Sequence, residues 1–176
     1  MTRDLKQKAR IGLFGGTFNP IHIGHIKMAK AALKEFKLDK VYFIPCGVPP
    51  HKPLKEMLLA KLRYKLVKKA IKKNKRFKIS DVEIKKKTKC YTIDTVKAIV
   101  GAYGRTPLLY FLIGQDEFEN LHTWKGAKEL AGLVTFIVLP RGKKKIKTPK
   151  IKNLSWKLLK IKPIDMSSTI IRNKTH

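Results

Sequence analysis

Arg10-Ile-Gly-Leu-Phe-Gly-Gly-Thr-Phe-Asn-Pro-Ile-His-Ile-Gly-His25 passes from a short apolar run, through a glycine turn, into a helical pattern. Arg10 to Phe14 has the composition of a strand, and from His22 to Phe36 the residues Ile26, Ala29, Leu33 and Phe36 recur on one helical stripe. Strand, glycine turn and helix in that order open an α/β unit. At the junction Gly15 and Gly16 let the backbone approach a ligand. The helix start offers a phosphate unpaired N–H groups and a partial positive charge. His22 and His25 are three positions apart and share a helical face, where their ring N–H groups can converge on one anion. Gly24 between them keeps a side chain out of the approach.

The alternation continues along the chain. Val41 to Pro45 is a second β-rich run and ends in the breaker-laden Gly47-Val-Pro-Pro-His-Lys-Pro53. Glu56 to Asn74 repeats Leu58, Leu62, Leu66 and Ala70 opposite Lys and Arg, predicting a helix with that apolar stripe. Arg76 to Ile84 alternates Phe77, Ile79 and Val82 as a strand would. Thr92 to Ala102 reads as helix, Leu108 to Ile113 as a continuous apolar strand, residues 116–131 as helical pieces, and Leu133 to Leu139 as another strand. Arg141 to Lys152, mostly Lys, is expected to be a solvated loop. Leu154 to Ile161 is expected as a last strand, and Ser167 to Arg172 as the opening of a terminal helix. Continuous apolar strands alternating with amphipathic helices imply a parallel sheet covered on both faces. The expected fold is α/β, a Rossmann-like doubly wound sheet in a single domain over residues 1–176, with ligands bound beyond the carboxyl ends of the strands.

The length of 176 residues suits one domain. Leu, Ile, Val and Phe are far too frequent for a disordered chain, and a core of this size needs no disulfide or metal staple. Lys and Arg number 41 against 12 Asp and Glu, a formal charge of +29, which implies anionic partners: nucleic acid, acidic membrane surfaces or phosphorylated small molecules. Cys46 and Cys90 lie 44 positions apart, outside any C-x-x-C pattern, so neither a thiolate zinc site nor a dithiol redox motif is expected, and a reducing cytoplasm fits best. The first residues are polar and lack the apolar stretch of a signal peptide, and no run approaches the ~20 apolar residues of a membrane span.

Near the other end stands Met166-Ser-Ser-Thr-Ile-Ile-Arg172. Ser167 or Ser168 suits an N-cap, and three hydroxyls with Arg172 at a helix start form a second anion cradle. Metal ligation by His22 and His25 would need His51 or Cys46 as a third ligand in a loop without carboxylates, so no protein-held metal is expected. Neither G-x-G-x-x-G nor G-x-x-x-x-G-K-[ST] occurs, which disfavours Rossmann dehydrogenases and P-loop enzymes.

His22-Ile-Gly-His25 together with Ser167-Ser-Thr-Ile-Ile-Arg172 resembles the nucleotidyltransferase superfamily related to class I aminoacyl-tRNA synthetases. Within it the chain resembles the bacterial nicotinate-nucleotide adenylyltransferase family over nearly its full length. Gly15-Gly-Thr-Phe-Asn-Pro-Ile-His22, Pro49-Pro-His-Lys52, Tyr91-Thr-Ile-Asp-Thr95, Phe111-Leu-Ile-Gly-Gln-Asp116 and Trp124-Lys125 fall in the family's order. Asn19 stands where the family often has Asp, and Cys90 where Ser is usual.

The resemblance implies adenylyl transfer from ATP to nicotinate mononucleotide in NAD biosynthesis, with Mg²⁺ carried by the ATP phosphates. It implies that His22, His25, Thr17 and Arg172 are catalytic. ATP is expected to be held by Gly15, Gly16, Thr17, His22, His25, Gly114, Asp116, Ser167, Ser168, Thr169 and Arg172, residues 164–176 forming a C-terminal phosphate-binding segment. The mononucleotide is expected at Lys52, Tyr91, Thr92 and Trp124. Two alternatives stand beside this: another small nucleotidyltransferase such as phosphopantetheine adenylyltransferase, and a basic nucleic-acid-binding module. The second is motivated by residues 61–89, with 14 Lys or Arg against two acids, and by residues 141–162, with ten against none. Such a module leaves the ordered Gly, His, Ser and Thr constellations unexplained. Non-specific adhesion to polyanions at low salt is expected as a by-product.

Overall fold

The computed structural model describes residues 8–50, 55, 57–102, 107–142 and 144–161. Six strands form one sheet in the order β3-β2-β1-β4-β5-β6: β1 (Arg10–Gly16), β2 (Lys40–Pro45), β3 (Phe77–Ile79), β4 (Leu108–Gly114), β5 (Thr135–Leu139) and β6 (Ser155–Leu158). Every pairing is parallel. From β1 the chain winds outward through β2 and β3, then returns to the centre and winds the other way through β4, β5 and β6. The doubly wound α/β sheet expected from the sequence is the fold observed, and its direction reverses between β1 and β4.

Alternation along the central strands sorts their side chains onto two faces. Phe14, Tyr110, Leu112, Ile137 and Leu139 pack with Ala29, Ala32 and Leu33 of α1 (Ile23–Glu35) and with Val67 and Ile71 of α2 (Ala60–Ile71). Ile11, Leu13, Leu109, Phe111, Ile113, Phe136 and Val138 pack on the opposite face with Ile93 and Val96 of α3 (Thr92–Ala102), Phe118 of α4 (Gln115–Glu119) and Leu130 of α5 (Ala127–Leu133). Burying each of these large side chains contributes roughly 1.5–3 kcal/mol, which is why strands apolar on both faces must be covered on both. A 3-10 turn, Leu121–Thr123, links α4 to the loop before α5.

Three expectations are corrected. The buried stripe of α2 is Arg63, Val67 and Ile71, whereas Leu58 and Leu62 are exposed. β3 stops at Ile79, because the chain turns at residues 82–85 instead of continuing to Ile84. The lysine-rich stretch after β5 is mostly exposed as expected, but Ile146 and Ile151 pack against the second core face and the Lys147 N–H donates to Glu119 Oε1 at 3.1 Å. The terminal helix expected at Ser167 to Arg172 lies outside the described residues. No helix among the described residues is long and apolar enough to cross a membrane.

Candidate active site

The reversal between β1 and β4 leaves a crevice at the carboxyl ends of these strands, the place where open α/β sheets receive ligands. A cleft of about 430 Å³ occupies it, walled by Phe14 to Phe18 from the β1 exit, Phe111 to Gly114 from the β4 exit, and His25, Tyr91, Thr92, Trp124 and Lys125. Gly15 is packed closely there: a Cβ on it would press on the Phe111 ring at 3.3 Å. Phe18, in the β1 exit loop, holds a left-handed backbone with φ 45°.

His22 caps α1 with an extended backbone, and its N–H donates to Nδ1 of His25 at 3.2 Å. With Nδ1 accepting, the neutral imidazole of His25 carries its proton on Nε2. That ring packs edge-on to Phe18 at 5.1 Å, against Phe14 at 5.9 Å and against the His22 ring at 3.8 Å. Burial in this aromatic nest, reinforced by the neighbouring His22, pushes the His25 pKa down to about 3. Burial lowers that of His22 as well. The His25 N–H is taken by the His22 carbonyl at 3.0 Å, which leaves the N–H groups of Ile23 and Gly24 at the head of α1 near a neutral, oriented imidazole, an arrangement that suits an anion.

The opposite end is built around the start of α3. Tyr91 O accepts the N–H groups of Asp94 and Thr95 at 3.1 and 3.3 Å, leaving the first N–H groups of the helix for a ligand. Trp124 stands perpendicular to Phe111 with ring centroids 6.1 Å apart, and Lys125 Nζ lies 4.4 Å over the Tyr91 ring. An aromatic wall beside free helix N–H groups suits a flat ring bearing a carboxylate.

The family model described as Cytidylyltransferase-like matches residues 13–174. A protein of Clostridium acetobutylicum named "Probable nicotinate-nucleotide adenylyltransferase" is 39% identical over 180 residues, covering 97% of this chain and 87% of its own. One of the same name from Shouchella clausii is 46% identical over 132 residues, or 75% of this chain and 68% of that protein. The chain belongs to the nicotinate-nucleotide adenylyltransferase family. A solved structure of the Plasmodium falciparum nicotinic acid mononucleotide adenylyltransferase complexed with NaAD shares the fold with a TM-score of 0.73, at 20% identity over 94% of this chain and 83% of that one.

Of the residues that family resemblance nominated, Gly15, Gly16, Thr17, His25, Tyr91, Thr92, Gly114 and Trp124 meet in one cleft. His22 does not line the cleft and touches His25 through its backbone N–H and its ring. Asp116 does not line the cleft. It sits in the first turn of α4, exposed, and its carboxylate pairs with Arg141. Lys52, Ser167, Ser168, Thr169 and Arg172 lie outside the described residues.

Sequence reasoning missed Arg63, the largest fully buried side chain among the described residues. Its guanidinium donates to the carbonyls of Leu58 at 2.9 Å, Thr17 at 2.6 Å and Gly47 at 3.1 Å, tying the β1 exit loop to the β2 exit loop and to the start of α2. Its place four and eight residues before Val67 and Ile71 was the available signal. Also missed was Glu83, buried in the cleft wall, whose Oε1 accepts from Thr95 Oγ1 at 2.7 Å. Burial raises the Glu83 carboxyl pKa and, with Glu83 beside it, raises that of the Cys46 thiol. Cys46, Cys90 and Glu83 form one cluster, although the two cysteines lie 44 positions apart in sequence and outside any C-x-x-C pattern.

Proposed function

We propose that the chain transfers the adenylyl group of ATP to nicotinate mononucleotide. An oxygen of the mononucleotide phosphate forms a bond to the α-phosphorus, the bond from that phosphorus to the bridging β-phosphate oxygen breaks, and deamido-NAD and pyrophosphate result. The nucleophile is already anionic and needs no base, so catalysis rests on alignment and on neutralising charge that grows on the α-phosphoryl and pyrophosphate oxygens. The observation that carries this reading is the two-ended cleft, with α1 and His25 at one end and α3 with Trp124 at the other.

Within the proposal, His25 donates from Nε2 to the α-phosphate, and Thr17 and the Gly15-Gly16 turn bring backbone N–H groups to the triphosphate. Ser167, Ser168, Thr169 and Arg172 are assigned to the β- and γ-phosphates on the family motif, and Lys52 to the mononucleotide phosphate. Thr92 at the head of α3 binds the ring carboxylate, and Trp124 covers the ring. The nucleotide enters as its Mg²⁺ complex. The setting proposed is the cytoplasm, where the substrates are phosphorylated metabolites.

The test is pyrophosphate release with MgATP and, in turn, nicotinate mononucleotide, nicotinamide mononucleotide and phosphopantetheine as acceptors. Nicotinate mononucleotide is expected to give the highest turnover. Equal or greater turnover with phosphopantetheine would discard the assignment of Thr92 and Trp124 to a pyridine ring.

A further inference from the structure

Cys46 follows β2 and Cys90 precedes α3, yet their Sγ atoms and a carboxylate oxygen of Glu83 all lie within 4.8 Å of one another. Backbone contacts build the arrangement. Gly47 passes so near Glu83 that a Cβ there would stand 2.2 Å from the Glu83 carbonyl oxygen, so only glycine permits the approach. Arg63 holds the Gly47 carbonyl from the other side at 3.1 Å, and the Cys90 N–H donates to the Val48 carbonyl at 2.9 Å. Thr95 orients the carboxylate through the 2.7 Å bond to Oε1.

Two sulfurs and one carboxylate oxygen suit a borderline-soft cation, whereas magnesium and calcium require oxygen alone. Donors on one tetrahedral zinc lie about 3.5–3.8 Å apart, so this set needs to contract by about 1.3 Å at most. All three residues also line the cleft, which leaves a fourth position open to water.

We propose that Cys46, Cys90 and Glu83 bind one thiophilic divalent cation of the zinc type on the wall of the cleft. Each thiol releases its proton to solvent as its sulfur bonds the metal, and Thr95 serves as a positioning residue for the carboxylate. The site does not depend on the adenylyl-transfer reading, which assigns none of these side chains a role.

The test titrates reduced, chelator-stripped protein with Co²⁺. One equivalent is expected to bind with a thiolate-to-cobalt charge-transfer band and the visible absorption of a tetrahedral ion, both lost on adding Zn²⁺. Cys46→Ser and Cys90→Ser should each abolish the charge-transfer band of the pair, and Thr95→Val should weaken binding by about 10- to 100-fold. Because a substitution at buried Cys90 can impair folding, the wild-type protein is also treated with iodoacetamide, where Zn²⁺ is expected to block alkylation of Cys46. Absence of the charge-transfer band, an undiminished band in folded Cys46→Ser, or unprotected Cys46 in the presence of Zn²⁺ would each overturn the proposal.

Discussion

At the scale of single residues the cleft depends on an imidazole that is neutral because of where it sits. His25 accepts the His22 N–H on Nδ1 and is packed among Phe14, Phe18 and His22, so Nε2 keeps a proton that it can share with a phosphate oxygen without becoming a base. Removing a preorganised donor to transition-state charge costs about 10²-fold or more, and His25→Ala is expected to lower turnover by at least that factor in a protein that still folds. Near-normal turnover would remove His25 from the mechanism. The same environment has a thermodynamic consequence. Unfolded, His25 titrates at its ordinary value near 6.5, but folded it stays neutral down to about 3. Between those values the unfolded state binds the extra proton, so stability falls as pH falls through that window. The loss amounts to about 2 kcal/mol between pH 7 and pH 5. Urea unfolding of His25→Ala should therefore show a shallower acid slope than wild type across that range, whatever its stability at pH 7. An unchanged slope would mean that the folded ring protonates as freely as the unfolded one.

At the scale of elements, the two exit loops and α2 are joined through one guanidinium. Arg63→Met keeps the apolar stem but leaves the carbonyls of Leu58, Thr17 and Gly47 without their donor. Each buried acceptor so orphaned costs about 1–3 kcal/mol, and a total loss of about 3 kcal/mol in urea unfolding is expected. Because one of those carbonyls belongs to Thr17, kcat/KM for ATP should drop even at temperatures where the variant is fully folded. Arg63→Lys should recover only part of both losses, since an ammonium cannot reproduce the three-pronged geometry. Full recovery by Lys would show that charge alone suffices. Arg63 also marks where sequence periodicity failed. β1, the glycine turn and α1 were legible because apolar spacing and glycine placement there have one physical meaning. In α2 a buried cation interrupts the stripe, so Leu58, Leu62, Leu66 and Ala70 gave the better apolar period although Leu58 and Leu62 face solvent. β3 was overextended because Val82 keeps the alternation through a turn. The Cys46, Glu83 and Cys90 cluster had no local signal at all, since loops from different strand exits meet only in the folded sheet.

At the scale of the whole molecule, the open matter is what a charge of +29 does. Lys27, Lys30 and Lys34 on α1 and Lys61, Lys65, Lys68 and Lys69 on α2 are all exposed, so most of the basic runs are solvated helix faces, and Arg63 is the exception. Scattered surface charge contributes little to fold stability, but it sets a field that two polyanionic substrates must cross to reach the cleft. The screening length is about 30 Å at 0.01 M salt and about 3 Å at 1 M, so the reach of that field is under experimental control. If the charge serves encounter, kcat/KM for ATP and for nicotinate mononucleotide should fall steadily as KCl rises at saturating Mg²⁺. kcat, measured with both substrates bound, should change little over the same range. A basic nucleic-acid-binding module would behave differently: its RNA affinity would survive His25→Ala and collapse with salt, and it would have no pyrophosphate release to lose. A kcat/KM independent of salt would show that the lysines act on neither substrate. Their role would then lie outside the reaction, because the cleft itself holds only Lys125 among the described basic residues that wall it.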